Sequence, residues 1–70
     1  MALHWKSAGG HIADGRPFEM QFARVEGGLR VRVLFEGSPP VECDRVWASE
    51  EEALGRGFQL ADAFIEETLR

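Results

Sequence analysis

Residues 18–35, Phe18-Glu-Met-Gln-Phe-Ala-Arg-Val-Glu-Gly-Gly-Leu-Arg-Val-Arg-Val-Leu-Phe35, decide the fold. Apolar side chains alternate on both sides of a glycine pair: Phe18, Met20 and Phe22 before it, Leu29, Val31, Val33 and Phe35 after it. A period of two belongs to a strand with one face buried. Two such runs around Glu26-Gly27-Gly28 predict a β-hairpin, and side-chain parity selects its turn. Pairing Glu26 with Leu29 across Gly27-Gly28 sets Phe22 opposite Val33 and Met20 opposite Phe35. Pairing Val25 with Leu29 would set Phe22 opposite Arg32. The two-residue turn is expected, because two glycines supply the positive φ of a primed turn.

Downstream of the hairpin, Glu36-Gly-Ser-Pro-Pro40 is a breaker. Val41–Trp47 then reads as another strand with Val41, Cys43 and Trp47 inward, its outer Glu42 and Asp44 lying beside Arg30 and Arg32. Upstream, Leu3-His-Trp5 alternates like a strand and Gly9-Gly10 interrupts it. Asp14-Gly15 reads as a turn joining His11–Ala13 to Arg16–Phe18, which makes this region a short edge strand.

The last element is a helix. Ser49 followed by Glu50-Glu51-Glu52 has the capping-box pattern, with three acids at the positive end of the helix dipole. Leu54, Phe58, Ala61, Ile65 and Leu69 recur at helical spacing and predict one apolar stripe from about residue 50 to 69. Glu52 to Arg56 and Glu66 to Arg70 have the favourable i,i+4 orientation. Gly57 falls on the apolar side, where a missing Cβ lets a helix approach a sheet, whereas Gly55 falls towards solvent without an evident reason. Leu60 and Phe64 widen the apolar arc beyond what one core needs. That excess predicts a contact outside the helix, either a sheet curled around it or a partner.

Together these elements predict a single α+β domain over residues 1–70: an antiparallel sheet of three to four strands with one C-terminal helix packed on one face. Composition agrees with one small soluble domain: 70 residues, 44% apolar, two Trp and five Phe. No apolar run is longer than three residues, as in Val33-Leu34-Phe35, so no membrane span and no signal peptide are expected, and the expected location is the cytoplasm. Residues 1–35 carry five cations against three acids, and residues 36–70 carry three against nine. With a net charge of −4 and only Arg30 and Arg32 on one strand as a basic feature, direct nucleic-acid binding is disfavoured. An acidic surface suits a basic protein partner.

The chemical signals weigh against catalysis. Cys43 belongs to the alternating apolar set of a strand, where a free Cys packs as a small hydrophobe. His11 with Asp14 could be a base and its orienting carboxylate, but an Asp before Gly is first a turn residue. One Cys and two His are too few for a structural zinc site, and consecutive helical Glu50-Glu51-Glu52 cannot converge on a cation, so no metal or cofactor is expected. The partner-binding candidates are Trp5, Leu60 and Phe64 as apolar anchors, with Asp62, Glu66 and Glu67 as the acidic face. Trp47, beside the helix cap, is assigned to the core. A core this small also predicts self-association, most simply a twofold homodimer through the Leu60–Phe64 flank or an edge strand.

The joint Val-Trp-Ala-Ser-Glu-Glu-Glu-Ala-Leu (46–54) and its continuation Gly-Phe-Gln-Leu-Ala-Asp-Ala-Phe-Ile-Glu (57–66), following the strands, resemble the small HicB-like domains and related bacterial proteins of unknown function. The likeness covers residues 18–69 in pattern. It implies a sheet with a helix across one face and, in true antitoxins, neutralisation of a small toxin by protein–protein contact. This chain lacks the strand after the helix and the DNA-binding segment that those antitoxins carry, so neither autoregulation nor any functional residue transfers. Small acidic phage inhibitors, anti-CRISPR proteins among them, are similar in size and simplicity. The leading expectation is therefore a non-enzymatic protein-binding module, inhibitor- or antitoxin-like, whose partner is a basic, nucleic-acid-handling protein. The alternatives are a small enzyme using Cys43 or His11 and an oligomeric structural protein with no separate partner.

Overall fold

A computed structural model describes residues 3–68, and Leu69 and Arg70 of the sequence reading lie outside the described residues. Four strands, β1 (Trp5–Ala13), β2 (Arg16–Val25), β3 (Gly28–Leu34) and β4 (Val41–Glu42), form one antiparallel sheet in the order β1-β2-β3-β4. The one helix among the described residues, α1 (Glu50–Thr68), packs on one face, chiefly against β3. This is the expected α+β architecture with the four-stranded option realised. Among the described residues, no helix is long and apolar enough to cross a membrane.

The β2–β3 hairpin keeps the expected faces but not the expected partners. Val25 pairs with Gly28, so the turn residues are Glu26-Gly27, and Phe22 stands opposite Val31 while Met20 stands opposite Val33. A shift of two residues leaves every side chain on its own face. The cause lies at Gly28, whose φ is +152° and whose missing Cβ makes room for the Trp47 carbonyl. Leu29 and Trp47 exchange both backbone hydrogen bonds there, at 2.8 and 2.7 Å. Gly28 is taken up by that close approach, and Gly27, at φ +89°, alone serves the turn.

The expected strand over Val41–Trp47 is interrupted. Glu42 pairs with Arg32, the Cys43 N–H donates to the Val31 carbonyl, and pairing resumes only at Trp47 opposite Leu29. Asp44, Arg45 and Val46 therefore bulge out against Arg30 alone. The Arg30 guanidinium caps this bulge, with a 2.8 Å ion pair to Glu42 and long, 3.4 Å bonds to the Cys43 carbonyl. Arg32, expected beside the same acids, turns instead to Gln21 Oε1 at 2.8 Å.

At the other edge, Gly9-Gly10 bends β1 without ending it. Ser7 pairs with Gln21 and Gly10 with Glu19, so Ala8 and Gly9 together oppose Met20 in a β-bulge. The Asp14-Gly15 turn forms as expected, both residues having positive φ, 50° and 76°.

The helix starts as its cap predicts, with the Glu52 N–H donating to Ser49 Oγ at 3.2 Å. Its buried stripe is different from the expected one. Ala53, Gly57, Ala61 and Ile65 face the core, while Leu54 is half-buried and Phe58 is exposed. Small residues line the contact because the sheet supplies the bulk: Met20, Val31 and Val33 are fully buried, and the Phe18 and Phe35 rings meet tilted by 30° with centroids 5.3 Å apart. Phe58 is not stranded, since its ring meets His11 at 5.0 Å and Phe18 at 5.9 Å. Arg56 leaves Glu52 and donates to Gln59 Oε1 at 3.0 Å. Gly55 faces open space, and nothing in the structure explains it.

Candidate protein-interaction surface

Helix α1 covers one face of the sheet and leaves the other bare. On the bare face, alternation brings Trp5, Ala23 and Arg30 into one cross-strand row and Ser7, Gln21, Arg32 and Glu42 into the next. The rows interlock. The Arg32 guanidinium lies 4.3 Å from the centroid of the half-buried Trp5 ring, and Gln21, which accepts from Arg32, donates to Glu19 at 2.6 Å. Ala23 beneath them is fully buried although no helix covers it. Trp5 is thus faced by a cation that a hydrogen-bonded amide holds in place. Further along the same face Ile12 is 71% exposed, the most exposed large apolar side chain among the described residues. Trp and Arg are the side chains enriched at interface anchors, and the Trp5–Arg32 pair lies on the same bare face as Ile12, at the other end of β1.

The other partner-binding candidates divide between two sides of the helix. Leu60 and Phe64 pack against the core from the sheet-facing flank, with Phe64 stacked on Phe35 at 4.7 Å and 19° between ring planes. Asp62 and Glu66 are exposed and, at 100° per residue, stand on the far side of α1 with Glu51 and Glu52. Glu67 is exposed nearer the Leu60 flank. The structure therefore does not gather these five residues into one patch. It makes an acidic ridge on the helix and a Trp–Arg surface on the opposite side of the molecule.

A third feature has no counterpart in the sequence reading. The first turns of α1 stand away from β1 and β2, leaving an open groove of about 700 Å³ floored by Phe22, Leu29 and Leu54. Lys6 and Arg24 line it on the sheet side, and Glu50 and Glu51 line it on the helix side. Spacing along the chain could not reveal it, because it depends on how the helix crosses the sheet.

Neither candidate catalytic residue has a catalytic neighbourhood in common with the other. His11 is on β1 and Cys43 follows β4, so three strand spacings, about 14 Å, separate their positions across the sheet. The His11 ring lies between Phe18 and Phe58 with Nε2 3.2 Å from the Ala8 carbonyl. Cys43 is 5% exposed. Burial pushes its thiol up, but the Arg45 backbone N–H, the Arg56 and Trp47 side chains and the Arg56 charge outweigh that, and it titrates below the ordinary thiol value. Trp47 Nε1 and Arg56 Nε are buried without a hydrogen-bond acceptor among the described residues.

No protein-family model matches this chain, and neither a curated protein nor a solved structure matches it. The surfaces are accordingly interpreted from their own chemistry.

Proposed function

We propose that this chain is a small acidic protein-binding module without catalytic activity, working as an inhibitor- or antitoxin-like protein. The observation that carries this reading is the bare sheet face, where Trp5 is ordered under Arg32 at one end and Ile12 is exposed at the other. Such a surface stabilises a complex by burying apolar and aromatic area with little side-chain entropy left to lose. The net charge of −4 favours encounter with a basic partner, such as a protein that handles nucleic acid, while the acidic ridge of Glu51, Glu52, Asp62 and Glu66 faces away from the bare sheet face and offers such a partner a separate contact. Phage-type anti-CRISPR and other anti-defence inhibitors are an example of such a class, by analogy of size and simplicity alone.

The test is capture of a stoichiometric partner from the native host with the full chain as bait. Trp5→Ala and Arg32→Ala, each verified as folded by circular dichroism, should lose at least tenfold in affinity for that partner. Undiminished binding by both variants would overturn the assignment of the bare face. The competing enzyme reading makes the opposite forecast: folded Cys43→Ser or His11→Ala variants would lose biological activity, whereas a pure binder retains it.

A further inference from the structure

The groove between α1 and the β1–β2 end of the sheet carries unmet charge on both walls. Among the described residues, Lys6 and Arg24 have no ion-pair partner, nor do Glu50 and Glu51, although all four line the same space. All four are exposed, and the floor between them is apolar, made by half-buried Phe22 and Leu54 with Leu29 below. At about 700 Å³ it has the size of sites that hold compact organic ligands or a few residues of chain. Cationic and anionic walls at fixed positions select for orientation, and an apolar floor between them selects for a bulky apolar group in the middle.

The geometry points to a docking groove for a segment of a partner protein in which one bulky apolar side chain is flanked by a carboxylate on one side and a cationic side chain on the other. The apolar residue seats on Phe22, Leu29 and Leu54, the carboxylate meets Lys6 and Arg24, and the cation meets Glu50 and Glu51. This rests on the reading of the chain as a protein-binding module and adds a second contact, on the face of the sheet opposite Trp5. Because Ser49 and three glutamates already answer the helix dipole at this end of α1, a plain anion is not the complementary ligand. The bipolar wall asks for both signs in one ligand.

The test uses random dodecapeptides displayed on phage and selected against the full chain. Selected peptides should share an acid, a Leu, Ile, Phe or Trp within two residues of it, and a Lys or Arg beyond. A synthetic peptide of that consensus, followed by fluorescence anisotropy, should lose at least tenfold in affinity with the Lys6→Glu/Glu51→Lys variant. A peptide with acid and base exchanged should bind that double variant better than it binds the parent chain. The substituted side chains are exposed, so the variant is expected to keep the parent circular dichroism spectrum; should it unfold, Arg24→Ala and Glu50→Ala serve in its place. Selection without a consensus, binding indifferent to the wall charges, or binding abolished instead by Trp5→Ala would each overturn the inference. A natural partner captured through Trp5 alongside any of these results leaves the proposed function standing while the groove assignment falls.

Discussion

Gly57 of α1 lies directly over Met20 of β2, so closely that a Cβ at position 57 would stand 2.5 Å from Met20 Cε and 2.6 Å from Sδ. Met20 is fully buried, with no solvent to swing into. The helix therefore reaches the sheet through the absence of a side chain.

Gly57→Ala sets a helix-propensity gain of about 1 kcal/mol against an overpacking cost of about 1–3 kcal/mol. Burial of Met20 makes the second term larger, and urea denaturation should show a net loss of about 1 kcal/mol. Gly55→Ala, two residues away and facing open space, should instead gain about 1 kcal/mol. Stabilisation by both substitutions would mean that the helix does not lie this close to Met20.

Gly28→Ala should be far more damaging. A Cβ at position 28 would collide with the backbone carbonyl of Trp47, and the φ of +152° already disfavours any side chain there. Backbone held by two hydrogen bonds cannot yield as the end of a methionine can. A loss of about 3 kcal/mol or failure to fold is expected, with early hydrogen exchange at the Leu29 and Trp47 amides.

Cys43 links stability to pH. Its folded pKa lies below its unfolded value, so over that interval the unfolded chain binds more protons and stability rises with pH. The contribution is complete above the unfolded thiol pKa and is lost as pH falls through the folded pKa. The stability difference between the parent chain and Cys43→Ala should therefore grow in favour of the parent from neutral pH to above pH 9 or so. Arg56→Ala should move the thiol titration, followed by thiolate absorbance, upward; an unmoved titration would remove Arg56 from the cause.

The flank expected to drive self-association is turned to the protein's own sheet. Phe64 stacks on Phe35, and the open edge of β1 is occupied at its bulge, where Gly9 N–H donates to Ser7 Oγ and the Ala8 carbonyl meets His11. Light scattering at micromolar concentration should return a monomer, and Phe64→Ala should cost about 2 kcal/mol, less than for a fully buried ring. A dimeric mass that Phe64→Ala reduces to a monomer would restore the flank as an interface.

The sequence by itself determined what depends on neighbours along the chain. Alternation fixed which faces of residues 18–35 are buried, Asp14-Gly15 made its turn because both positions tolerate positive φ, and Ser49 with three glutamates started α1 where the dipole and the cap agree. Tertiary structure decided everything that needs a second surface. The hairpin pairing slid by two residues because Gly28 was needed under Trp47. The buried stripe of α1 moved to Ala53, Gly57, Ala61 and Ile65 because Met20 occupies the volume that larger helix side chains would fill. For the candidate sites the division is the same. Trp5 was legible as a candidate anchor, but its contact with Arg32 exists only once β1 and β3 flank β2, and the groove between Lys6 and Glu51 only once the helix crosses the sheet, since local spacing carries no information about how distant elements are placed in space.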